Sequence, residues 1–120
     1  MKKSNIALFR IGNHYLYREQ NLIECEIPIL FVCIDDVDNR YLVLNLDFEM
    51  DEYLVAKVTK TDLTDMLESK ITIRKPFENS ESIYLIRAGE SLEKDIIVKK
   101  DFSDINEEDL PRENLHFIIN

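Results

Sequence analysis

The chain has 120 residues, 45% of them hydrophobic and 32% charged, and carries a formal net charge of -9 at pH 7. That is one ordinary domain, able to bury roughly two-thirds of the surface its unfolded form exposes, and its apolar content excludes wholesale disorder. No apolar stretch approaches the roughly 20 residues that cross a bilayer, and an acidic surface repels the phosphate backbones of nucleic acids.

Met1-Lys2-Lys3-Ser4-Asn5 is basic, but the apolar run after it breaks at Arg10 and Gly12, which does not match a secretory signal. Period-two alternation then dominates. Leu8-Phe9-Arg10-Ile11 and His14-Tyr15-Leu16-Tyr17-Arg18 flank Gly12-Asn13, a dipeptide that tolerates positive φ and closes tight hairpins. Residues 22–27 alternate, with Ile23, Cys25 and Ile27 on one face and Glu24 and Glu26 on the other. This predicts a half-buried strand that ends at Pro28, which has no N–H to give a ladder. Ile29-Leu30-Phe31-Val32-Cys33-Ile34 is apolar on both faces and reads as a strand covered on both sides.

Asp35-Asp36-Val37-Asp38-Asn39 supplies turn chemistry, because Asp and Asn side chains hydrogen-bond their own backbone. Tyr41-Leu42-Val43-Leu44-Asn45-Leu46 returns with its three leucines on one face. A second acidic loop, 47–52, leads into Tyr53-Leu54-Val55-Ala56-Lys57-Val58. The three runs predict an antiparallel meander. A short helix follows: Thr59 or Thr61 caps it, Asp62 suits the positive end of its dipole, and Leu63, Met66 and Leu67 share one face before Ser69-Lys70 ends it.

The segment 72–77 is open between a short strand and a second helical turn, with Pro76 weakening both. Ser82-Ile83-Tyr84-Leu85-Ile86-Arg87 reads as a strand, Ala88-Gly89-Glu90-Ser91 as a turn and Ile96-Ile97-Val98 as a last strand. The tail, 101–120, is acidic and irregular, and Phe102, Ile105, Leu110, Leu115 and Phe117 are spaced to pin it down. The expected fold is a single α+β domain over residues 1–120: a strongly bent, barrel-like antiparallel β-sheet with one or two short helices and the acidic tail packed on it.

The only cysteines, Cys25 and Cys33, sit in apolar segments, and neither has a basic or histidine neighbour that would activate it. Both read as free, buried small hydrophobes of a reducing, cytoplasmic protein, although a cross-strand disulfide between their segments is conceivable.

Pro28-Ile29-Leu30-Phe31, Tyr41-Leu42-Val43-Leu44, the acidic loop before Tyr53-Leu54-Val55, the capped helix with Leu63 and Leu67, and Leu110-Pro111 before Leu115 come in a familiar order. Together they resemble a family of small, stand-alone, β-rich bacterial domains of unknown function, over residues 15–115. Glu26-Ile27-Pro28 departs from that pattern, standing where an acidic-Gly/Pro turn is expected. The resemblance implies a bacterial or phage source and an intracellular β-rich fold, and it brings no activity with it.

Chemical motifs are sparse. Asp47, Glu49 and Asp51 occupy positions 1, 3 and 5 of a calcium loop, but the sixth position is Glu52 instead of Gly and the twelfth is Val58 instead of Glu. The cluster of Asp35, Asp36 and Asp38 fails similarly. In a meander the two clusters stand about 20 Å apart at opposite ends of a strand, too far for paired metals, which sit about 4 Å apart. Turn residues facing water are the plainer reading of both. His14 and His116 have no nucleophile beside them, and two glycines are too few for a phosphate-binding loop. No catalytic residue, metal or cofactor is expected.

The leading expectation is therefore a non-enzymatic acidic module that binds another protein with a basic surface. An inhibitor, immunity or accessory protein of a bacterial or phage defence or toxin system would have this character. Its expected interface residues are Tyr15, Tyr17, Asp35, Asp36, Asp38, Asp47, Glu49, Asp51 and Glu52. Tyrosine is common in binding hot spots, yet it also simply favours strands; if Leu16 points inward, both Tyr15 and Tyr17 point out. Direct nucleic-acid and membrane binding are not expected. Mimicry of a nucleic acid needs a continuous acidic row, and these carboxylates cluster at turns and in the tail. Self-association through a strand edge is compatible with this reading. The alternative is a small-ligand-binding domain with a pocket between sheet and helix.

Overall fold

The computed structural model describes residues 6–118; the basic opening, Met1 to Asn5, lies outside them. Seven strands follow one another in chain order as a single antiparallel meander. They are β1 (Ala7–Ile11), β2 (His14–Cys25), β3 (Ile27–Asp35), β4 (Arg40–Asp47), β5 (Glu52–Val58), β6 (Ile83–Arg87) and β7 (Ile96–Lys100). Two short helices, α1 (Lys60–Leu67) and α2 (Arg74–Asn79), link β5 to β6. Strand outweighs helix, so the expected α+β domain is a β-dominated one.

The sheet curls because both of its faces are apolar. Phe9 on β1, Phe31 on β3, Val43 on β4, Val55 on β5 and Ile86 on β6 form one buried cluster. In a flat sheet, five strand spacings of about 4.8 Å would hold β1 about 24 Å from β6. Bringing Phe9 and Ile86 into one cluster bends the sheet into a nearly closed barrel. The Tyr53 ring meets Phe9 edge-on there, with centroids 5.1 Å apart.

The outer face carries Leu30, Val32, Leu42, Leu54, Ala56 and Ile83, covered by Met66 of α1, Phe77 of α2 and Leu110 and Phe117 of the tail. Strand register explains the split: Val32 pairs with Leu42, Leu42 with Ala56, and Ala56 with Ile83, so one row of apolar side chains runs across the sheet.

The first hairpin turns at Gly12, at φ 60°. Helix α1 begins at Thr59, whose Oγ1 accepts the Asp62 N–H at 3.0 Å. The open segment becomes a helix: α2 takes Pro76 in its first turn, where a missing N–H leaves no intrahelical bond unmade. Two expectations need correction. Residues 22–27 are not a separate strand ending at Pro28: β2 runs through to Cys25, the chain turns at Glu26 (φ 65°), and β3 begins at Ile27. Cys25 is exposed at this turn and Cys33 alone is buried; both are free thiols. Among the described residues, no helix is long and apolar enough to cross a membrane.

Candidate functional site

The antiparallel meander sorts the turns to two ends of the sheet, and the expected interface residues divide between them. The eight residues of β4 separate the groups, about 25 Å of extended chain.

At one end stands the β3–β4 turn. Asp35 is only 2% exposed and faces no partner. Its Oδ1 accepts from the N–H groups of Val37 at 3.0 Å and Asn39 at 2.9 Å. Its Oδ2 accepts from Asn39 Nδ2 at 3.1 Å and Tyr41 Oη at 2.9 Å. Burial pushes the carboxyl up, but the bonds from Asn39, Tyr41 and Val37 together outweigh it and hold the group below its ordinary value. Asp35 is thus a structural brace for the turn, and its place among interface residues is corrected.

The other carboxylates of this end have side-chain partners. Asp36 Oδ1 lies 2.8 Å from His14 Nδ1. Asp38 meets Arg40 at 3.1 Å and Lys60 at 3.7 Å. His14, Asp35 and Asp36 bring ligand atoms within 4.8 Å of one another. Four hydrogen bonds already occupy Asp35, which leaves two donors where a bound metal ion needs four or more. Leu16 is fully buried, so its neighbours point outward: Tyr15 is 40% exposed beneath the Arg10 guanidinium, and Tyr17 is half-buried.

The opposite end is different. It gathers the β2–β3 turn with Glu24 and Glu26, the β4–β5 turn with Asp47, Glu49, Asp51 and Glu52, and the β6–β7 connection with Glu90, Glu93 and Asp95. The basic residues in these turn segments are Arg87 and Lys94, and both are engaged, Arg87 with Glu52 at 2.8 Å and Lys94 with Glu90 at 3.5 Å. Asp47 braces its own turn, accepting from the N–H groups of Glu49 at 3.1 Å and Met50 at 3.2 Å. That turn thrusts two apolar side chains into water between its carboxylates: Phe48 is 63% exposed and Met50 51%.

Sequence reasoning singled out the carboxylates of this loop and passed over Phe48 and Met50. The signal was there, since two large apolar side chains in an acidic turn satisfy no demand of the turn itself. Alternation places Glu24 and Glu26 on one strand face, whereas the turn at Glu26 sets that residue beside Phe48 of the 47–52 loop.

Met66 of α1 and Phe77 of α2 are fully buried where the helices pack on the sheet. An open, polar depression of about 530 Å3 lies at the start of α1, where Asp38, Arg40, Lys57, Lys60 and Asp62 mix both signs of charge. An apolar groove runs along the outer face beside the Cys25–Ile27 turn. No family model, curated protein or solved structure matches this chain.

Proposed function

We propose that this protein is a non-enzymatic interaction module that binds a basic surface of another protein through the β2–β3 and β4–β5 turns. One observation carries the reading: the turns at this end of the sheet hold nine carboxylates against Arg87 and Lys94 alone, and Phe48 and Met50 stand exposed among them. Unbalanced charge speeds encounter with a basic partner, and exposed apolar side chains supply the contact that survives once water is expelled. Inhibition, immunity or an accessory role in a bacterial or phage defence or toxin system would all use such a surface.

The test compares the wild type with a variant carrying Asp47→Asn, Glu49→Gln and Asp51→Asn. These changes keep the acceptor of Asp47 and a residue that tolerates the positive φ of 50° at Asp51. Both proteins are immobilised and exposed to lysate of the cell they come from, then washed at low and high salt. The expected result is one stoichiometric protein on the wild type, released by salt and reduced at least tenfold on the variant. Equal retention, or none on either, overturns the proposal.

A further inference from the structure

Two connected hollows on the outer face form a groove beside the acidic end of the sheet. One, of about 440 Å3, is floored by Ile23, Leu30 and Leu44 and walled by Leu110, Pro111 and Leu115 of the tail. The other, of about 350 Å3, lies among Cys25, Ile27 and Phe48. Ile29, Asn45 and Leu46 line both, so the groove is continuous from the β4–β5 turn to the tail. Leu115 at its far wall is 47% exposed, and it holds the tail through its carbonyl, which accepts the Ile73 N–H at 2.9 Å.

We infer that this groove seats a short amphipathic helix of the partner, with apolar anchors on one face and Lys or Arg on its flanks. The inference rests on the function proposed above and names the partner's chemistry. Three features select this guest. First, the groove is apolar, so it gains from side chains that leave water. Second, β3 and β4, which floor it, are each paired on both sides, so a guest finds no free strand edge there. A helix satisfies its own backbone and needs only to insert side chains, at positions such as i, i+4 and i+7.

Third, acidic side chains stand along the groove: Glu26 at one end, Glu108 and Asp109 at the other, with Arg112 the one cation in its lining. Asp109 is the half-buried one of these carboxylates. Burial, then Glu108 and Glu52, hold its carboxyl above the ordinary value, against one bond with Asn106. A lysine or arginine on the guest would relieve it.

The probe is a 15-residue peptide of Leu and Lys with leucines on one helical face, compared with a scrambled peptide of the same composition. Binding to the full chain is followed by fluorescence anisotropy and by backbone amide shifts. The amphipathic peptide should bind at least tenfold tighter than its scramble and shift the amides of Ile27, Ile29, Leu46 and Leu115. Phe48→Ala and Leu115→Ser alter exposed residues without adding charge, and each should weaken binding at least threefold while leaving the amide spectrum elsewhere unchanged. Equal binding of both peptides, with shifts confined to residues 47–52, overturns the groove and leaves the acidic-surface proposal standing. Binding of neither peptide at low salt overturns both.

Discussion

Arg74, buried on α2, grips Glu107 of the tail with both ends of its guanidinium: Nη2 donates to Oε1 at 2.9 Å and Nη1 to Oε2. Nη1 also donates to the Pro111 carbonyl at 3.3 Å, and the guanidinium lies 5.3 Å from the Phe102 ring centre. One side chain therefore touches the tail at three places. Glu107 itself is largely exposed, so water screens the ion pair, and the anchoring comes from the buried arginine and its packing. Arg74→Ala should lower stability by about 1–2 kcal/mol in urea unfolding. It strands the exposed Glu107 carboxylate and the Pro111 carbonyl but no buried charge, which keeps the cost below the roughly 3–5 kcal/mol of an abandoned buried charge. Amides of the tail should then exchange faster than those of β3 and β4, whereas Glu107→Gln should change little. Uniform loss of protection would mean that the tail is not clamped locally.

Asp35 makes the fold acid-sensitive. Its carboxyl titrates below the ordinary value of 3.8, so its contribution is fully present above that pH and is lost as pH falls through the lower folded value. Asp35→Asn keeps one acceptor oxygen and loses the other, and should cost about 1–3 kcal/mol at pH 7. The gap between wild type and variant should then narrow below pH 3.8. A gap independent of pH down to 2.5 would refute the role of the ionised group.

Much of the fold is legible in the sequence because the information is local. Gly12-Asn13 marks its hairpin by chemistry, and Thr59 with Asp62 marks the start of α1. The alternation through 41–58 marks β4 and β5, since inward and outward rows are written residue by residue. Pro28 misled, because a missing N–H argues for a break, while the turn sits at Glu26, a residue type with no preference for positive φ. Arg74 was equally hidden: its hydrogen-bond partners in the tail, Glu107 and Pro111, lie more than thirty residues away, and a lone arginine in an ambiguous segment does not announce its burial. The two acidic clusters look alike in sequence. Arg40 stands two residues from Asp38, but only the fold delivers His14 and Lys60 to the first cluster and Arg87 to Glu52 of the second, and only the fold leaves Phe48 and Met50 exposed among the carboxylates that carry the functional reading.

The two thiols should separate cleanly. Burial pushes Cys33 up to about 12, against a smaller opposing effect of Arg18, so it stays protonated and shielded. Cys25 stands exposed at the end of β2. A disulfide-exchange reagent at pH 8 should label one thiol per chain in native buffer and two in urea, and Cys25→Ser should abolish native labelling. Rapid native labelling of both would show that the β3 core opens.

Glu26 and Gly12 offer a matched pair of backbone tests. Both sit near φ +60°, at 65° and 60°, yet only one is a glycine. A non-glycine residue there carries roughly 1–2 kcal/mol of strain, while glycine costs about 0.4–1 kcal/mol through the freer unfolded chain. Glu26→Gly should thus stabilise by about 0.5–1 kcal/mol, since no hydrogen bond of the Glu26 side chain is lost. Gly12→Ala should destabilise by a similar amount; open space surrounds the position, so the cost is conformational and not steric. The two urea midpoints should move in opposite directions. If Glu26→Gly lowered its midpoint, the β2–β3 turn would not be held in the left-handed conformation that sets Glu26 beside Phe48 of the 47–52 loop.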